Sequence, residues 1–139
     1  MLVPKKVKFR KSHTMRRNVK RDLVASRGTT VAFGSHGLKA ITHARVKSNQ
    51  IESARKVIAR SLGKTGKSWV RIFPDMPFTK KPPEVKLGKG KGEPEGYQVD
   101  IWPGRVLFEV DGVSDAIATK ALVGAAMKLP LKAKVVTRN

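Results

Sequence analysis

Tyr97-Gln98-Val99-Asp100-Ile101-Trp102-Pro103-Gly104-Arg105-Val106-Leu107-Phe108-Glu109-Val110 decides the fold class. Apolar residues alternate on either side of Pro103-Gly104. Tyr97, Val99 and Ile101 share one face, and Val106, Phe108 and Val110 share another. Pro at the first central position and Gly at the second is the chemistry of a type II turn, because Pro presets φ and Gly accepts a positive one. The stretch therefore reads as an antiparallel hairpin. Asp111-Gly112 closes it, and Ser114 caps a helix predicted over 115–129 with Ile117, Ala121, Leu122, Ala125 and Leu129 inward. Pro130 stops that helix, and 131–137 alternates as a final strand.

Upstream, Ser48 to Leu62 reads as the other helix. Ile51, Ala54, Val57, Ile58 and Leu62 recur at helical spacing. Asn49 with Glu52 three residues later resembles a capping box, and Gly63 ends the helix. Gly63-Lys64-Thr65-Gly66-Lys67-Ser68 mimics a P-loop, but the first required Gly is replaced by Ser61, and a helix precedes where a strand should. Nucleotide binding is rejected on both grounds, and Gly88-x-Gly90-x-Gly92 fails the dinucleotide fingerprint on spacing. Ser68 to Phe73 alternates as a strand, with Trp69, Arg71 and Phe73 on one face, Val70 and Ile72 on the other, and Trp69 expected in the core. Trp102, beside the turn, fits either burial or stacking on a base. Pro74, Pro77, Pro82 and Pro83 are read as forbidding regular structure, so 74–96 becomes an extended loop. Thr29 to Ala44 is read as extended, with Val31 and Phe33 alternating and Gly34-Ser35-His36-Gly37 as a tight turn. Leu38, Ala40 and Thr42 then continue on one face. Two helices on a mainly antiparallel sheet make an α+β protein: an arm over 1–28 and one globular domain over 29–139.

The charge is uneven. The 139 residues carry 30 Lys and Arg against 10 Asp and Glu, a formal net charge of +20. Residues 1–92 hold 24 of those cations and only four of the acids, so the entire excess lies there. Charge of that size opposes compaction and invites a polyanion. Lys5, Lys6, Lys8, Arg10, Lys11, Arg16, Arg17, Lys20 and Arg21 crowd the arm, whose apolar residues are sparse. It reads as mobile when free and ordered on its partner. Arg45, Lys47, Arg55, Lys56, Arg60, Lys64, Lys67 and Arg71 extend the candidate polyanion-binding set, Arg55, Lys56 and Arg60 lying off the helix's apolar stripe. Lys86-Leu87-Gly88-Lys89-Gly90-Lys91-Gly92 is a further basic element. Glycines let the main chain approach a partner, and lysines supply mobile point charges. Such a loop either lies against a phosphate backbone or stands solvated.

No cysteine is present, which excludes a disulfide framework and Cys-based zinc sites. His13, His36 and His43 lack ligand partners at metal spacing and are taken as surface or nucleic-acid-facing. Glu109, Asp111 and Asp115 are read as caps and solubilising charges at element ends. No carboxylate pair, activated nucleophile, cofactor site or small-molecule site is legible, so the chain reads as a non-enzyme with no cofactor and no metal. No apolar run is long enough to span a bilayer, so no membrane partner is expected. The N-terminus lacks the apolar region of a secretory signal and reads as part of the mature protein.

The order of parts resembles the bacterial-type large-subunit ribosomal protein sixteen, a universal ribosomal protein family. Three stretches carry the likeness: Met1 to Lys11; Lys67 to Asp75; and Lys86 to Gly92 with Pro103 to Val113 downstream. Where the family's loop commonly begins Arg-Met-Gly, this chain has Lys86-Leu87-Gly88, and His13 to Arg27 is a few residues longer. The resemblance implies an α/β hammerhead-type sandwich bound to large-subunit ribosomal RNA among neighbouring ribosomal proteins, in a cytoplasmic or organellar ribosome. It also implies a place beside the aminoacyl-tRNA corridor, with Lys86, Gly88, Lys89, Gly90, Lys91 and Gly92 reaching towards tRNA. A free-standing RNA-binding or RNA-chaperone protein is the alternative, since it would use the same surface.

Overall fold

A computed structural model of the chain describes residues 1–14, 21 and 23–139. Among the described residues seven strands and two helices follow in order: β1 (His36–Ala40), β2 (Ala44–Lys47), α1 (Ser48–Leu62), β3 (Lys67–Val70), β4 (Met76–Lys80), β5 (Glu93–Ile101), β6 (Val106–Asp111), α2 (Asp115–Ala126) and β7 (Ala133–Thr137). The strands form a four-stranded sheet in the order β3-β6-β1-β7 and a three-stranded sheet in the order β2-β5-β4. Every pairing is antiparallel. The fold is α+β, as the residue patterns predict.

The helices pack on each other. α2 covers β1, β6 and β7, and α1 reaches β3 of one sheet and β2 and β5 of the other. α1 thus bridges the sheets, which its apolar stripe permits. Ile51, Ala54, Ile58 and Leu62 are buried in one cluster with Leu38, Val46, Ile101, Phe108 and Leu122. Val57 is half-buried and lies against α2 at Gly124, where an added Cβ would meet Val57 Cγ1 at 3.0 Å. The missing side chain lets the two helices approach.

Several expectations are corrected. Pro103-Gly104 is a turn, with Gly104 at φ 99° and the Arg105 N–H donating to Trp102 O at 3.2 Å, but it is not a hairpin. β5 pairs with β2 and β4, while β6 pairs with β1 and β3. The turn therefore carries the chain from one sheet to the other. Turn chemistry fixes the local reversal and leaves open which strand each arm joins. The proline-rich stretch also holds regular structure, since β4 runs through Pro77 opposite Tyr97. β4 is the edge of its sheet, where a residue without an N–H is tolerated. Of the expected loop 74–96, residues 74–75 and 81–92 remain irregular.

The expected turn at Gly34-Ser35-His36-Gly37 is half strand, because β1 begins at His36. Gly37 is needed there for space: a Cβ would meet Val31 Cγ2 at 2.8 Å. In α1, Gln50 and not Glu52 closes the first turn, accepting the Lys47 N–H at 2.8 Å. In α2 the buried positions are Ala118, Ala121, Leu122 and Ala125, and Ile117 is 44% exposed. Ala121, Leu122 and Ala125 are inward as expected, and only the first position differs, Ala118 taking the place of Ile117. Leu129 is buried, in the turn after the helix.

Candidate nucleic-acid interface

The arm is attached to the domain at both of its described ends. Leu2 packs on the core cluster, and its carbonyl accepts the Ser48 hydroxyl at 2.6 Å. At the other end Ala25 N–H donates to Pro103 O at 2.9 Å, and Val106 N–H donates to Gly28 O at 2.7 Å. Lys5, Lys6 and Lys8 are exposed along this path. Arg16, Arg17 and Lys20 lie outside the described residues; Arg21 is exposed.

Beyond Phe9 the arm meets the loop between β4 and β5. Arg10 pairs with Glu93, and Lys11 Nζ lies 3.8 Å from the same carboxylate. Lys11 Nζ donates to Lys91 O at 3.3 Å, and Lys91 Nζ donates in return to Ser12 O. Lys81 donates to Gly88 O across the loop. Gly88, Lys89 and Gly90 all have positive φ, at 98°, 59° and 92°. Glycine adopts this conformation freely, whereas Lys89 is held there at a cost. Gly92 has a different role: a Cβ on it would sit 2.9 Å from Lys80 backbone atoms. Leu87 stands at the tip, 98% exposed. The fold thus brings Arg10 and Lys11 of the arm beside Lys91 of the loop.

The other named cations divide. Lys56, Arg60, Lys64 and Lys67 are exposed on α1, the turn after it and the start of β3. Lys47 Nζ lies 4.7 Å from the Phe78 ring centroid. Arg45 donates to Asp100 at 3.2 Å and to Thr14 O. Arg55 donates to both oxygens of Glu52. That hydrogen bonding holds the Glu52 carboxyl down from 4.5 to about 2, and raises Arg55 in turn. Arg71 faces inward, its Nη1 3.1 Å from Glu109.

Glu109 is the residue the sequence reading missed. Its side chain is wholly buried, and it accepts the N–H groups of Ala32 and Phe33 besides the Arg71 guanidinium. It is neither a cap nor a solubilising charge. One signal was available: it stands inside Val106-Leu107-Phe108-Glu109-Val110, where every residue is buried. Trp69 is corrected too. It is half-buried and stacks on Phe33 at 6.2 Å, with Arg71 5.0 Å from the same Phe33 ring, so it belongs to a cluster beside Glu109's partners and not to the core. Trp102 stacks on His43 at 4.1 Å.

The histidine readings also change. His36 is buried, with Nδ1 2.9 Å from Ser35 Oγ and Nε2 3.1 Å from Asp115. It joins β1 to the start of α2. His43 Nε2 lies 3.4 Å from Asp100. Among the described residues, no group of three His, Cys, Asp or Glu could hold a metal ion, and no helix is long and apolar enough to cross a membrane.

Comparison with known proteins places this geometry in context. Residues 4–136 match the family described as ribosomal protein L16p/L10e. Large ribosomal subunit protein uL16 of Fervidobacterium nodosum is 52% identical over 139 residues, covering 100% of this chain and 95% of that protein. The proteins of the same name from Afipia carboxidovorans and Rickettsia felis are each 50% identical over 138 residues, covering 99% of this chain and 98% of theirs.

Proposed function

The chain belongs to the ribosomal protein L16p/L10e family, and from that premise we propose that it is a constituent of the large ribosomal subunit that binds large-subunit RNA and presents loop 86–92 to tRNA. Residues 1–28 act as the RNA-binding arm, 29–139 as the globular domain, and neighbouring ribosomal proteins complete its surroundings. The observation that supports this reading is the junction of arm and loop, where Lys11 and Lys91 each donate to the other's segment. Arm cations and loop cations there form one basic zone fed by two separate parts of the chain.

The chemistry is counterion release. Each Lys or Arg that neutralises a phosphate frees a condensed cation, without reading sequence. With roughly six phosphates neutralised, log K against log[salt] should fall with a slope of about −4 to −6. A slope near zero would remove the charge from the mechanism.

The tRNA role is tested with large subunits carrying Lys86→Ala, Lys89→Ala and Lys91→Ala together. The expected result is particles that retain the protein but accommodate aminoacyl-tRNA more slowly, to a similar extent for every tRNA species, since phosphate contacts carry no sequence information. Normal accommodation by particles depleted of the protein would make the loop an assembly element. A chain that binds RNA but never sediments with the subunit would be a free-standing RNA binder.

A further inference from the structure

A cleft of about 550 Å³ opens between the start of the chain, α1 and the segment after β3. Its size falls in the range of small-ligand sites, about 300–1,000 Å³. Arg55, Arg71 and Arg105 line it, with Glu52, Leu2 and Phe73. The charges there can be assigned. Arg55 is neutralised by Glu52 and Arg71 by Glu109. Arg105 has no carboxylate partner among the described residues. The only hydrogen bond of its guanidinium among them runs from Nη2 to Arg71 O at 3.3 Å, and its buried Nε finds no acceptor. A guanidinium has five N–H donors, so most of this one's capacity is unused. It is also held in place, since Gly28 packs so closely on it that an added Cβ would lie 3.0 Å from Nε. The cleft therefore carries, beside the Met1 α-ammonium, a guanidinium fixed as a donor fork with no carboxylate partner among the described residues. Beside it, Phe73 leaves a ring 45% exposed.

We propose that this cleft holds a single unpaired RNA nucleotide, its phosphodiester on Arg105 and its base against Phe73. The inference rests on the RNA-binding reading above and deepens it. The planar donor fork of Arg105 suits the two free oxygens of a phosphodiester. An aromatic face offers stacking to any base, and RNA recognition commonly uses bases splayed out of the helix in this way.

The test uses the full-length free protein and a uridine tetranucleotide, followed by NMR at the Phe73 ring protons and the Arg105 Nε–H. Both signals should shift together and saturate. Phe73→Ala should weaken tetranucleotide binding at least about fivefold, the lower end of what removing a stacking partner costs. Arg105→Gln should weaken it and lower the log–log salt slope by about 0.7, one single-strand phosphate contact. Arg105 also supports Arg71, so Phe73→Ala, whose half-exposed ring lies outside the core cluster, is the variant that decides if Arg105→Gln fails to fold. Unchanged affinity in Phe73→Ala overturns the proposal, as do shifts confined to arm lysines. Equal cleft shifts with tripolyphosphate would make it a plain anion site and overturn the nucleotide. Wild-type binding of large-subunit RNA beside such a failure removes this inference alone. Loss of that RNA binding as well removes the functional reading beneath it.

Discussion

The carboxylate of Glu109 lies 3.1 Å from the Arg71 guanidinium, with the Glu109 side chain entirely out of solvent. The pair joins β6 to the segment after β3, and the two N–H groups of Ala32 and Phe33 bring a third segment to the same oxygens. Removing one partner of a buried pair leaves the other unsatisfied, which costs more than the pair contributes when whole. Glu109→Ala should therefore destabilise the fold by about 3–5 kcal/mol. Glu109→Gln keeps an acceptor oxygen and should lose less. Urea unfolding midpoints measure both, and a Glu109→Ala midpoint equal to wild type would refute the assignment.

The pair Glu52–Arg55 gives a pH prediction. The Glu52 carboxyl is held at about 2, below its usual 4.5, first by Arg55's hydrogen bonds. A depressed folded-state value means the folded form binds its proton less readily than the unfolded chain does. The contribution is complete above about pH 4.5 and disappears as pH falls towards 2. Glu52→Gln should flatten the acid limb in that window by lowering stability above about pH 4.5, and leave stability near pH 2 little changed. Arg55→Ala should return the Glu52 titration, followed by carboxyl-carbon NMR, towards 4.5. A Glu52 titration unmoved by that substitution would exclude Arg55 as the cause.

Much of the fold is legible where periodicity alone decides. The stripe Ile51, Ala54, Ile58, Leu62 marks α1 because nothing but a helix aligns those positions. The same holds for the apolar run of β6. Pairing partners are less legible, because alternation says which face is buried and not which strand lies alongside. That is why Pro103-Gly104 reads as a hairpin yet joins two sheets. Pro77 misleads for a related reason, since only knowing that β4 is an edge makes a proline acceptable there. At the candidate interface, the cations are read from charge alone. Their commitments are not: Arg55 and Arg71 face carboxylates, one of them on a strand 38 residues away. The cleft at Arg105 is assembled from four separated parts of the chain, so no local pattern announces it.

Gly34 offers a test of close packing between β6 and the segment before β1. A Cβ there would lie 2.5 Å from Val110 O and 3.2 Å from the Trp69 ring. A backbone carbonyl in a paired strand cannot give way as a flexible side chain can. Ser35 N–H also donates to that carbonyl at 3.0 Å, so displacement would strain this bond. Gly34→Ala should cost about 1–3 kcal/mol, the usual cost of overpacking. Calorimetry or urea unfolding reads it, and a stabilised variant would show that the segment can move aside.

The last prediction separates two sources of order in the glycine-lysine loop. One is the loop's own backbone, in which Gly88, Lys89 and Gly90 all take positive φ. The other is the clasp to the arm, made by Lys91 to Ser12 O, Lys11 to Lys91 O and Arg10 to Glu93. The Arg10–Glu93 pair is solvent-exposed, and exposed pairs are individually worth about 0–1 kcal/mol. Removing the clasp should therefore leave global stability within about 0.5 kcal/mol, as for surface substitutions generally. Its effect should be local. In the variant Lys91→Ala with Glu93→Ala, backbone order parameters across 87–91 should fall below about 0.6, the flexible range. Lys89→Asn is the companion variant, because Asn tolerates positive φ while removing the charge. It should keep the loop ordered and weaken RNA binding. If the clasp variant stays as rigid as wild type, the backbone and not the arm holds the loop, and arm and loop act as independent RNA contacts.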